Sequence, residues 1–267
     1  MKTKIKHRVL VIGTFVLCAL FSFDLQAQNS SGEKDKSLMK AIIHTPTNKI
    51  ENSYSFYERL GFKVISKETP LIVTDGKAII EVNPDRFARA GIKLFKKSWA
   101  QEVPKLKELT ALINLPNGFL FYDPSGIAIY LIESDFNYPF MVADSSFSSL
   151  GNFAGLTLET ADIKSSFIIY EILGFAKNMG AVEKGFVGLI GGDNFNIVLM
   201  SPLQSPHLFH NPSLTYFNGK KNLAVIKKIR ELNIPIVEEI STFNKEGIVD
   251  NIIIRDPGGY GFFIFSD

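Results

Sequence analysis

Asn52-Ser53-Tyr54-Ser55-Phe56-Tyr57-Glu58-Arg59-Leu60-Gly61-Phe62 returns as Ser165-Ser166-Phe167-Ile168-Ile169-Tyr170-Glu171-Ile172-Leu173-Gly174-Phe175. The apolar skeleton Ile50, Tyr54, Tyr57, Leu60 maps onto Ile163, Phe167, Tyr170, Leu173 without a gap. Apolar residues three and four apart make one face of a helix, and a glycine after the last of them favours its left-handed end. A second echo follows. Tyr122-Asp123-Pro124-Ser125-Gly126 returns as Arg255-Asp256-Pro257-Gly258-Gly259, each time before an apolar strand. Two copies with the same start and the same finish predict two units of one architecture.

Working outward, Leu38 to Thr45 reads as a strand closed by Pro46, and Asn48 as a helix start with Glu51 as its capping-box partner. The helix runs to Leu60, and Phe62 to Lys67 is a strand. Leu71 to Thr74 and Ala78 to Val82 form a hairpin around Asp75-Gly76. Ala90 to Phe95 is a further strand, and Val103 to Ile113 an amphipathic helix. Phe119 to Tyr122 and Ile127 to Glu133 are strands joined by the Asp-Pro turn. The second unit repeats the order: strand Phe153 to Glu159, helix Ile163 to Leu173, and strands Phe186 to Ile190 and Phe195 to Met200. Leu214 to Phe217, helix Leu223 to Leu232, Ile252 to Ile254 and Phe262 to Phe265 complete it. Each unit is expected to hold strand-helix-strand-strand-strand twice.

The start of the chain is expected to be a leader. Lys2, Lys4, Lys6 and Arg8 precede an apolar run from Val9 to Phe23, and Leu25-Gln26-Ala27 offers a cleavage site. The run is short for a membrane span, which takes about 20 apolar residues, and a retained anchor is the alternative. The predicted division is leader 1–27, polar linker 28–37, first domain 38–134, linker 135–150 and second domain 151–267. The chain has 29 basic and 27 acidic side chains; Lys2, Lys4, Lys6, Arg8 and Asp24 lie in the leader, leaving 25 against 26. A near-neutral surface lacks the phosphate-neutralising charge of a nucleic-acid binder. The one cysteine, Cys18, lies in the leader, so an exported product would rely on its core rather than a disulfide.

The helix end Phe56 to Phe62, its copy Ile169 to Phe175, and the paired Asp-Pro turns resemble the glyoxalase/bleomycin-resistance/extradiol-dioxygenase group, the vicinal oxygen chelate superfamily. The resemblance covers residues 39–267. It implies an α+β fold in which four βαβββ modules pair into two half-open barrels, each with a ligand site in its concavity. Enzymes of the group hold a divalent metal with inward His, Gln or Glu residues on the first and last strands of each module. Counting from the anchors places these positions at Ile42, Ile80, Gly91 and Tyr130 in the first unit. In the second they fall at Gly155, Val198, Ser213 and Phe263. None is His, Glu, Asp or Gln, so no metal and no cofactor are expected. A one-residue slip in the middle strand would bring Glu81 inward.

By strand alternation, the first concavity is expected to be lined by Ile42, His44, Ala78, Ile80, Lys93, Phe95, Ala128, Tyr130 and Ile132. The second would present Gly155, Thr157, Glu159, Asn196, Val198, Met200, Ser213, Thr215, Phe263 and Phe265. The ligand-contacting candidates are His44, Lys93, Tyr130, Thr157, Glu159, Asn196, Ser213, Thr215 and Phe263. An apolar floor with a few polar groups suits a small-molecule pocket, and equally a barrel filled by its own side chains. The glycine, serine and threonines tilt the expectation toward the second unit. His44 is either a hydrogen-bonded packing residue or a ligand contact. His207 and His210 lie among Pro202, Pro206 and Pro212 with no third ligand nearby, which argues against zinc.

The leading expectation is an exported, metal-free member of the group that binds a small organic molecule. Its partners would include no nucleic acid and, after leader removal, no membrane. The alternatives are a divalent-metal lyase, isomerase or dioxygenase with unrecognised ligands, a metal-free enzyme using Tyr130 or His44 as acid or base, and an interaction scaffold. Whether modules pair within one chain or across a homodimer is open at this stage.

Overall fold

The computed structural model describes residues 39–139 and 143–266. The expected leader 1–27 and polar linker 28–37 lie outside the described residues. The first unit contains β1 (Lys40–Pro46), α1 (Ile50–Arg59), β2 (Lys63–Ser66), β3 (Leu71–Thr74) and β4 (Ile79–Asn83). Its second module is β5 (Gly91–Lys96), α2 (Val103–Lys107), β6 (Ile113–Leu115), β7 (Gly118–Tyr122) and β8 (Ala128–Glu133). The second unit repeats the pattern with β9 (Phe153–Glu159), α3 (Ile163–Ile172), β10 (Ala176–Ala181), β11 (Phe186–Ile190) and β12 (Asn196–Met200). It closes with β13 (Ser213–Phe217), α4 (Asn222–Glu231), β14 (Ile236–Ile240), β15 (Asn251–Arg255) and β16 (Gly261–Phe265).

Each unit is one eight-stranded sheet, ordered β2-β3-β4-β1-β5-β8-β7-β6 and β10-β11-β12-β9-β13-β16-β15-β14. Consecutive modules join through an antiparallel ladder, β1 to β5 and β9 to β13. The four βαβββ modules therefore pair within the chain, which the sequence left open.

Three strands were not foreseen: β6, β10 and β14. All three are sheet edges. An edge strand buries little and can be polar, as Ala-Lys-Asn-Met-Gly-Ala in β10 is, so the alternation that marks a strand is absent. Ile113 belongs to β6 and not to a helix; α2 ends at Lys107. The predicted capping box at Asn48 and Glu51 also does not form. Lys49 is the N-cap and makes no side-chain cap bond. Thr47 Oγ1 instead accepts from Lys49 N (3.2 Å) and Ser53 Oγ (2.8 Å). The helix ends are as expected, with Gly61 and Gly174 at φ of +85° and +94°.

One hydrophobic core contains side chains from both sheets and all four helices, including Tyr57, Leu60, Leu106, Tyr170, Leu173, Ile226 and Phe262. The two repeated motifs meet across it. Each Asp-Pro turn spends one carboxylate oxygen on its own backbone: Asp123 Oδ1 accepts from Ser125 N (3.0 Å), and Asp256 Oδ1 from Tyr260 N (2.8 Å). The other oxygen reaches the opposite unit. Tyr57 OH donates to Asp256 Oδ2 (2.7 Å), and Tyr170 OH to Asp123 Oδ2 (3.0 Å). The helix tyrosine and turn aspartate that recur in the sequence are thus reciprocal partners. Tyr216 OH adds a bond to Asp75 Oδ2 (3.0 Å), and Tyr260 OH one to Gly91 O. Burial pushes both turn aspartates above the ordinary carboxylate value, against the bonds that stabilise their charge.

Candidate functional site

The core faces of the sheets are Ala41, Ile43, Ile80, Val82, Ile92, Leu94, Ile129 and Leu131 in the first unit. The opposite face is the concavity. It presents Ile42, Ile72, Ile79, Ala128, Tyr130 and Ile132, with Phe95 between them. Two expected lining residues are corrected: Ala78 and Ile80 belong to the core. Asp75 N donates to Ala78 O across the hairpin, and the ladder pairs Thr74 with Ile79 and Ile72 with Glu81. That register turns Ile79 and Glu81 to the concave side, since a shift of one residue exchanges the faces.

Glu81 therefore stands directly opposite His44 on β1, Ile42 pairs with Lys93 on β5, and Lys93 pairs with Tyr130 on β8. Four adjacent central strands bring His44, Glu81, Lys93 and Tyr130 to one floor. Lys93 Nζ donates to Glu81 Oε1 at 2.5 Å, with side chains only 16% and 4% exposed. His44 Nδ1 lies 2.8 Å from Arg89 O. A carbonyl only accepts, so Nδ1 carries the proton and Nε2 the lone pair. Asn83 Nδ2, 3.2 Å away, donates to that lone pair. Nε2 also lies 3.6 Å from Glu81 Oε1, an approach with no proton between them. Burial, then the Lys93 ammonium, push the His44 imidazolium down to about 3, against the Arg89 carbonyl bond. His44 is therefore neutral near pH 7.

Tyr130 borders the same floor. Its ring meets His44 edge to face at 4.7 Å, and Lys93 Nζ lies 5.6 Å from its centroid. Tyr130 OH accepts from Arg89 N (3.1 Å) and keeps its own proton. Burial raises its pKa. The segment leaving β8 turns back over this concavity. Phe136 and Tyr138 pack on the Ile42, Ile72 and Ile79 cluster, and Phe136 meets Phe95 at 5.3 Å. The linker thus forms part of the wall.

The second concavity is built differently. Thr157 and Thr215 hydroxyls bond each other at 2.7 Å. Asn196 Nδ2 donates to Ala154 O (3.2 Å), and its Oδ1 is buried without a partner among the described residues. Glu159 accepts from Leu203 N (3.3 Å) at the rim, and Ser213 Oγ donates to His210 O. Phe263 stacks on Phe265 (5.4 Å) and meets Phe209 (5.2 Å) and His207 (4.9 Å). Phe243 closes on Phe265 at 6.2 Å. The rings of His207, Phe209 and Phe243 gather on Phe263 and Phe265 at one side of this floor, while the Thr157 and Thr215 hydroxyls satisfy each other and Asn196 and Ser213 bond backbone carbonyls. The first unit, not the second, gathers its candidates.

Sequence reasoning found three of the four floor residues and placed Glu81 one residue out. The available signal was the length of the Asp75-Gly76 turn, which sets the ladder.

No protein-family model matches this chain, and no curated protein matches its sequence. Solved structures do resemble it. Homoprotocatechuate 2,3-dioxygenase from Arthrobacter globiformis aligns with a TM-score of 0.54 and 15% identity, over 85% of this chain and 79% of that one. The Mn(II)-bound glyoxalase from Novosphingobium aromaticivorans aligns at 0.54 and 13%, over 85% and 81%. An extradiol ring-cleaving dioxygenase from B. fuscum gives 0.52 and 14%, over 86% and 74%. The fold is that of the vicinal oxygen chelate superfamily. Identity at this level carries the fold and not the chemistry.

Proposed function

We propose that this chain, folded as a vicinal oxygen chelate protein, is exported and binds a small organic molecule in its first concavity without a metal. The observation that supports this reading is the Lys93–Glu81 pair. Strands β1, β4, β5 and β8 are the first and last strands of the two modules, where the superfamily's metal ligands sit. Here they present His44, Glu81, Lys93 and Tyr130. His44 and Glu81 are common metal donors; Tyr130 would ligate as a phenolate, which burial disfavours by raising its pKa, and a catalytic divalent ion commonly takes three protein ligands. One of the two donors is already held by an ammonium at 2.5 Å. Among the described residues no group of three His, Cys, Asp or Glu could hold a metal. This donor set does not fit a resident divalent cation.

Export rests on the leader pattern of residues 1–27, and N-terminal sequencing of protein recovered outside the cytoplasm would test it. Binding is tested by a thermal-shift screen of planar and aromatic compounds on the leader-free chain. A ligand at about 100 times its Kd adds about 2.7 kcal/mol, which is a rise of roughly 5–10 °C for a chain of this size. The rise should vanish in Lys93→Met. Elemental analysis provides the refutation. Stoichiometric iron, manganese, nickel or zinc held by the first concavity would replace this reading with the metalloenzyme that the glyoxalase and dioxygenase neighbours represent.

A further inference from the structure

The floor of the first concavity is charged and yet balanced. Lys93 contributes one positive charge and Glu81 one negative charge, 2.5 Å apart. His44 is neutral, because its burial and the adjacent ammonium hold it down to about 3. Tyr130 and Tyr138 have raised pKa values and are uncharged as well. Two further charges act at the border of the floor, again one of each sign: the Arg89 guanidinium on Tyr130 and the Glu68 carboxylate on Tyr138. Arg89 is exposed and bonds Arg86 O and Ala88 O in its own loop. Asn83 is spent on the His44 lone pair. Ile42, Phe95, Ile132 and Phe136 make the remaining surface apolar.

Such a floor treats ligand charges in a predictable way. An anion meets Lys93 but also Glu81, and a cation meets the same pair with the signs reversed. Neither finds a net opposite charge, and either must give up its water. A neutral group keeps the pair intact. It can accept from the Lys93 N–H groups that Glu81 leaves free and from the Tyr130 O–H, and donate to the second Glu81 oxygen, groups that have no further hydrogen bond among the described residues. We infer that the first concavity takes an uncharged polar molecule with an apolar body, such as an aromatic carboxamide, and that the Lys93–Glu81 pair sets this neutrality. This inference rests on the reading of the first concavity as the binding site.

The experiment uses three probes of one size: benzamide, benzoate and benzylamine. Each is titrated by calorimetry against the leader-free chain near pH 7. Benzamide is expected to bind at least about tenfold more tightly than either ion, a gap typical of leaving one buried charge uncompensated. Glu81→Gln leaves Lys93 unopposed and should shift the preference to benzoate. Lys93→Gln leaves Glu81 unopposed and should shift it to benzylamine. The double variant Glu81→Gln/Lys93→Gln is near-isosteric and neutral, and should keep benzamide first even where a single variant unfolds. Circular dichroism and the emission of Trp99, which is fully buried, report folding. A wild-type preference for either ion, or folded single variants that do not change preference, overturns the neutrality inference and leaves the site standing. If no probe binds the folded wild type or the folded double variant, the site reading fails and the inference fails with it.

Discussion

Replacing Tyr57 by phenylalanine removes one oxygen from the seam between the two units and leaves the packing shape unchanged. That oxygen donates to Asp256 Oδ2 at 2.7 Å, in a fully buried setting. Asp256 Oδ2 retains Thr45 Oγ1 at 2.8 Å, and Oδ1 retains Tyr260 N at 2.8 Å. The loss is therefore one hydrogen bond to a carboxylate, not all of its support. A bond of this kind contributes about 1.5–3 kcal/mol when the acceptor is charged, and about 1 kcal/mol when it is neutral. The expected cost of Tyr57→Phe at pH 7 is about 2 kcal/mol. The cost also has a pH signature. Burial raises Asp256 above its usual 3.8, while the Tyr57 bond pulls it back down. A carboxyl with a raised folded pKa binds more protons folded than unfolded between the two values. Its contribution to stability therefore falls as pH rises from about 3.8 through the folded pKa, and is flat above. Tyr57→Phe raises the folded pKa further and widens that window. The difference between wild type and variant should shrink to about 1 kcal/mol at an acid pH at which folded Asp256 has taken up its proton. Urea unfolding at both pH values, followed by Trp99 emission and circular dichroism, measures it. A cost below about 0.5 kcal/mol, the scatter of independent sites, or one that does not change with pH, would show that the seam bond is not the support inferred here.

His44 should give the opposite slope. Its folded pKa of about 3 lies below the ordinary 6.5, so the unfolded chain binds the extra proton between these values. Stability is full above pH 6.5 and is lost as pH falls toward 3, by on the order of 5 kcal/mol. Nitrogen NMR should find the Nδ1-protonated neutral ring throughout pH 5–8, and an imidazolium signal there would refute it. Gly91→Ala tests the strand approach beside the site. A Cβ at Gly91 would lie 1.8 Å from Ala128 O, a backbone atom that cannot rotate away. A cost of about 3 kcal/mol or more is expected from such overpacking, and a variant with unchanged urea midpoint would refute the β5–β8 register.

Much of the fold was legible because it was written twice. Leu60-Gly61-Phe62 and Leu173-Gly174-Phe175 fixed both helix ends, and each Asp-Pro turn fixed the start of a final strand. These signals are local: a glycine at a left-handed position and a proline in a turn act on their own neighbours. The edge strands β6, β10 and β14 were not legible, because half-exposed strands do not carry a strict apolar alternation. Among the site residues, His44, Lys93 and Tyr130 followed from strand parity. Glu81 did not, because parity in a hairpin depends on how many residues its turn consumes.

The chain's order of residues determined two copies of a paired module, their helices and the inward face of most strands, because each is set by neighbours within a few positions. Tertiary structure alone decided the rest. It placed a carboxylate and an ammonium from strands two apart within 2.5 Å of each other. It brought rings from a distant loop onto Phe263, and joined each repeated tyrosine to the other copy's aspartate. The Tyr57–Asp256 contact spans 199 residues of chain. Such contacts exist only once the sheets have closed against one core, since no local preference holds groups so far apart in sequence together.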